Sequence, residues 1–91
     1  MSGQERKSPV IEKDAKEVEI HSLILYNDDV NSFDFVIETL IEVCEHDAIQ
    51  AENCAWIAHF KGKCEVKKGT MEDLKPRYQD MTNRTLTVEI K

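Results

Sequence analysis

Apolar residues recur along this chain with two periods: two, which marks strands, and about 3.6, which marks helices. Residues 19–26 follow the first. Ile20, Ser22, Ile24 and Tyr26 fall on one side, and His21, Leu23 and Leu25 on the other. The unbroken run Leu23-Ile24-Leu25 predicts a strand covered on both faces at its end. Three small polar residues, Asn27-Asp28-Asp29, stop it, and Asn31 or Ser32 caps a helix over about 33–45. Phe33, Val36, Ile37, Leu40 and Cys44 form the apolar stripe of that helix, with Asp34, Glu38, Glu42 and Glu45 opposite.

A second helix is expected over 48–61, closed by Gly62. Spacing its residues at 100° separates two clusters: Ile49, Trp56, Ile57 and Phe60, and Ala48, Ala51, Ala55 and Ala58, with His59 at the border of the latter. The bulky cluster is the expected core. The alanine stripe either packs closely on the first helix or roofs a hollow with an imidazole at its edge. Residues 63–68 read as a short strand. Thr70 caps a third helix with Met71, Leu74, Tyr78 and Met81 in its stripe, and Pro76 inside it predicts a kink or a late start. Residues 85–90 alternate Leu86, Val88 and Ile90 with Thr85, Thr87 and Glu89, a half-buried strand. The order β-α-α-β-α-β predicts an α+β, two-layer domain: a three-stranded antiparallel sheet covered on one face by three helices.

The chain has 91 residues, enough for one small domain. Residues 1–17 are polar, hold few large apolar groups and are expected to form a flexible tail ahead of a domain over 18–91. A net charge of −6 disfavours nucleic acid or an anionic membrane as partner. No apolar run approaches the roughly 20 residues that span a bilayer. No hydrophobic signal region opens the sequence, and Cys44, Cys54 and Cys64 are an odd number without a Cys-x-x-Cys pair. A reducing, cytoplasmic setting is therefore expected. No Lys or Arg lies between Lys16 and Lys61, after which Lys61, Lys63, Lys67 and Lys68 arrive together. The result is a solvated acidic face or a molecule with an acidic side and a basic edge.

The reactive side chains allow three chemistries. A metal site among Cys44, His46, Cys54, His59 and Cys64 lacks zinc-finger spacing. Cys54 and His59 stand five apart, about 140° round a helix, and do not converge. A cysteine hydrolase using His59 and Asp29 lacks an oxyanion-hole signature. The third is a non-catalytic site for an amine. Asn27, Asp29 and His59 offer an amide, a carboxylate and an imidazole, the several acceptors that a protonated primary amine needs. Against it stands the simpler reading of Asn27-Asp28-Asp29 as a turn.

These residues resemble the ClpS family. The resemblance rests on Asn27-Asp28-Asp29 after Leu-Ile-Leu, Phe35-Val36 opening a helix, and Ala58-His59-Phe60-Lys61-Gly62-Lys63 closing the next, and it covers about 20–90. It implies a non-enzymatic, cofactor-free adaptor, expected to be a monomer. Such an adaptor binds the free amino-terminal residue of a degradation substrate and delivers it to a Clp-type AAA+ unfoldase and protease. Carried over by position, Asn27, Asp29 and His59 would bind the α-amino group. Asn31, Phe33, Val36, Ala55, Ala58 and Leu86 would line the pocket for a bulky apolar first side chain. Glu72 and Arg77 would face the unfoldase N-domain, with the tail engaged by it. Ala55 and Ala58 replace larger apolar residues common in the family, Phe33 a gating Met, Asn31 a Thr and Ser32 a Pro. Either Phe33 compensates for the alanines and the pocket is reshaped, or it occludes the pocket and leaves a regulatory or structural interaction domain.

Overall fold

The computed structural model describes residues 18–91; the expected tail over 1–17 lies outside the described residues. The elements are β1 (His21–Tyr26), α1 (Phe33–Cys44), α2 (Ala48–Lys61), β2 (Lys63–Gly69), α3 (Met71–Asn83) and β3 (Thr87–Ile90). The sheet is antiparallel with order β2-β1-β3, so the first strand is its centre. In register, Leu25 faces Cys64 on one side and Val88 on the other, and the β1–β2 ladder shifts between Leu23 and Ile24. All three helices cover one face of this sheet, the α+β arrangement that the periodicity predicts.

The core sits between that face and the helices. Leu23, Leu25, Leu40, Leu74 and Met81 are at most 1% exposed, with Cys44, Ala51, Val66 and Leu86 around them. Only one face of β1 is closed. Ile24 is half-buried and Ile20 is 64% exposed, contrary to the two-sided burial expected from the Leu-Ile-Leu run.

Helix α2 keeps the close alanine packing that the sequence allows, but its bulky stripe is not core. Its alanine face is the buried one, with Ala51, Ala55 and Ala58 at 0–4% exposure, whereas Ile49, Trp56, Ile57 and Phe60 are 41–73% exposed. The reason is distance. α2 lies against both α1 and β2, and methyl side chains let the helix axis approach both at once. Bulky side chains on that face would hold it off. α3 also departs from expectation. It begins directly after Thr70, whose hydroxyl accepts from the Asp73 amide at 3.2 Å, and it is continuous through Pro76 rather than starting late.

Candidate functional site

The polar residues between β1 and α1 are held by a side chain, not by sheet. Asp28 Oδ1 accepts from the Val30 and Asn31 amides, each at 2.9 Å, and its carboxylate takes the Asn31 amide nitrogen at 3.2–3.3 Å. This is an Asx turn, in which a short carboxylate replaces backbone partners. Asn31 Nδ2 also donates to the Thr85 carbonyl at 2.9 Å, tying the turn to the approach of β3. Thr85 is held there at φ +65°, in the left-handed region that a β-branched residue seldom adopts. Ser32 then caps α1 by accepting from the Phe35 amide at 3.1 Å.

A backbone hydrogen bond brings His59 to this turn. The Asn27 amide donates to the Gly62 carbonyl at 2.9 Å, while the Gly62 amide closes α2 on Ala58 at 2.9 Å. Gly62 sits at φ +94°, a left-handed cap that glycine adopts without a Cβ penalty. His59, one turn before this cap, is thereby carried to the lip of β1. Among the described residues, the side chains of Asn27, Asp29 and His59 make no hydrogen bond or ion pair. Asp28, between two of them, makes four such contacts.

These groups rim a cleft of about 210 Å³. Leu25, Phe33, Val36, Ala55 and Ala58 form its apolar part; Asn27, Asp28, Asp29, Asn31 and His59 its polar part; Tyr26 completes it. The Tyr26 hydroxyl donates to Glu89 Oε1 at 2.6 Å, and that bond to a carboxylate raises its pKa. Phe33 lies with its ring centroid 4.5 Å from that of Trp56. The cleft thus joins an acceptor-rich, net acidic rim to an apolar hollow without a Lys or Arg in its lining.

Of the pocket residues expected from sequence, Asn31, Phe33, Val36, Ala55 and Ala58 are in the lining, and Leu86 is not. Leu86 is 5% exposed and belongs to the core. Leu25 and Tyr26 also line the cleft; in the sequence they are marked only by their position at the strand's end. The two residues expected to face a partner differ in their surroundings. Glu72 is exposed, but the Arg77 guanidinium donates to the Val43 carbonyl and pairs with Asp73 at 3.2 Å and Glu45 at 3.8 Å. Its hydrogen bond to Asp73 raises its pKa. Arg77 therefore closes the carboxyl end of α1 from α3.

The remaining reactive groups lie elsewhere. His46 is buried and joins the α1–α2 loop to β2 through Nε2 and the Val66 carbonyl at 2.6 Å. Burial pushes the Cys44 thiol up to about 11, and burial with the neighbouring Cys54 pushes Cys64 up to about 12. Such thiols are poor nucleophiles at neutral pH. Among the described residues, no three His, Cys, Asp or Glu side chains gather as a metal site. No helix there is long and apolar enough to cross a membrane.

Fold and cleft together define a small α+β domain whose cleft joins acceptors to an apolar hollow. The family described as "ATP-dependent Clp protease adaptor protein ClpS" matches residues 16–89. The chain belongs to the ClpS family. Its fold is similar to the structure of Agrobacterium tumefaciens ClpS2 bound to L-phenylalaninamide, with a TM-score of 0.74 at 18% identity, covering 82% of this chain and 100% of that one. None of the curated proteins matches this chain.

Proposed function

We propose that this protein is a non-enzymatic cytoplasmic adaptor that binds the free α-amino group and bulky apolar first side chain of degradation substrates. It delivers them to a Clp-type AAA+ unfoldase and protease, Glu72 lying on the face it presents. The observation that carries this reading is the pairing of acceptors on Asn27, Asp29 and His59, which no side chain or amide among the described residues engages, with an open apolar hollow. An α-amino group, with a pKa of about 7.7–8.0, is mostly charged at neutral pH. Each charge-assisted hydrogen bond contributes about 1.5–3 kcal/mol, and burying a Leu or Phe side chain roughly 1.5–3 kcal/mol. After the cost of association, micromolar binding at about −8 kcal/mol is within reach.

Volume favours an open pocket over an occluded one. An apolar cavity of about 150 Å³ accepts benzene, so the 210 Å³ cleft has room for a phenyl side chain with Phe33 in place. The ligand of ClpS2, an amino-acid amide with a free amine and a phenyl ring, has the same two features. Fluorescence anisotropy with a peptide beginning in Phe or Leu tests the reading. The free peptide is expected to bind and its N-acetylated form to fail, because acetylation removes the charge and leaves the acceptors unpaired. Equal binding of the two would overturn the proposal. Failure of both, with an unfoldase N-domain still captured, would leave the regulatory reading.

A further inference from the structure

The exposed bulky face of α2 is continuous with the cleft. Phe33 lines the cleft and touches Trp56 at 4.5 Å; Trp56 stacks on Phe60 at 5.1 Å with 9° between the planes. His59, on the cleft rim, meets Phe60 edge-on at 5.0 Å and Trp56 at 6.0 Å. Phe60 is 73% exposed and Trp56 42%, so the stacked pair is a platform open to solvent. Spacings of three and four along the helix bring Trp56, His59 and Phe60 together on one face, and their exposure leaves the stacked pair open beside the cleft rim.

Resting on the amine-binding reading above, we infer that the Trp56–Phe60 platform is a second subsite, which receives an aromatic or bulky aliphatic side chain at the second position of the bound peptide. The geometry is short-range. An amine held at His59 puts the next residue one extended step away, about 3.5 Å. Phe60 lies 5.0 Å from the His59 ring, within reach of that residue's side chain. Both exposed rings are apolar, and the nearby rim carries Asp28 and Asp29 without a Lys or Arg in the cleft lining, so an acidic second residue is disfavoured. Selectivity then has two parts: the hollow reads the first side chain and the platform the second.

The test compares peptides beginning Phe-Phe, Phe-Leu, Phe-Ser and Phe-Asp, each free and N-acetylated, on the whole protein and on Phe60→Ser and Ile49→Ser. Ile49 lies on the same helix face three turns away, about 16 Å along the axis. The expected result is about three- to ten-fold tighter binding of Phe-Phe and Phe-Leu than of Phe-Ser, the range of one aromatic contact. Phe60→Ser should abolish that ratio while free Phe-Ser binds as before, and Ile49→Ser should preserve it. Equal affinities for all free peptides in the unaltered protein would overturn the subsite and leave the amine reading standing. Equal binding of free and acetylated peptides, or none, would overturn both. A ratio lost in Ile49→Ser as well, or self-association abolished by Phe60→Ser, would assign the face to a second copy of the chain and overturn the subsite.

Discussion

Helix α2 is entered and left beside a histidine, and the two ends differ in what the fold requires of it. At the entry, His46 is 5% exposed and its Nε2 is bonded to Val66, while Asp47 caps the helix by accepting from the Gln50 amide at 2.7 Å. At the exit, Gly62 makes the cap with backbone alone, and His59 stays exposed and without a hydrogen bond among the described residues. The same contrast separates Asp28, which builds its turn, from Asp29, which builds nothing within the domain. A side chain that the fold does not employ, held in place by backbone that it does, is free to meet a ligand.

Substitutions at the two ends should therefore fail in opposite ways. The largest effect is expected at the exit: His59→Ala or Asp29→Ala should weaken binding of a free Phe-initiated peptide about ten- to hundred-fold by anisotropy, with unfolding free energy changed by less than about 0.5 kcal/mol. A matching loss of stability would erase the distinction. At the entry, His46→Ala removes the partner of a buried carbonyl and should cost about 1–3 kcal/mol in urea unfolding, leaving the affinity of the folded protein unchanged. Asp28→Ala should fall between them. Loss of a turn-forming side chain costs about 1 kcal/mol in caps of similar geometry, and the loosened rim should bind about two- to five-fold more weakly.

The smallest effect concerns the thiols. Cys44 and Cys64 have folded pKa values raised from 9.0 to about 11 and about 12. The unfolded chain releases these protons first, so their contribution is fully present below about pH 9 and is lost as pH rises through the folded values. Stability should decline in that alkaline window and less so in Cys44→Ala measured against its own neutral-pH value. At neutral pH a thiol reagent should label half-buried Cys54 before the other two.

The order of elements was legible because each helix carries an apolar stripe and a cap, and β1 and β3 alternate clearly. Which stripe of α2 faces inward was not. The helix has two apolar stripes, and hydrophobicity alone ranks Ile49, Trp56, Ile57 and Phe60 above three alanines. The deciding quantity is how near α1 and β2 approach, a distance that periodicity does not contain. Asn27, Asp29 and His59 are legible in the sequence as an amide, a carboxylate and an imidazole suited to an amine, and the family resemblance makes that grouping specific. The backbone bond from Asn27 to Gly62 that joins them leaves no trace in side-chain pattern. Likewise Arg77 looks like a surface cation until the carboxyl end of α1 is seen beneath it.

The sheet order also decides how the domain meets other polypeptide chains. With β1 in the centre, the open edges belong to β2 and β3. β3 has only four residues, and β2 carries Lys63, Lys67 and Lys68 along its length. Short edges and edge lysines are how sheets avoid recruiting foreign strands. The basic cluster seen in the sequence thus acts as a guard: a foreign strand meets charge at one border and too little ladder at the other, and colloidal stability should suffer if those lysines are neutralised.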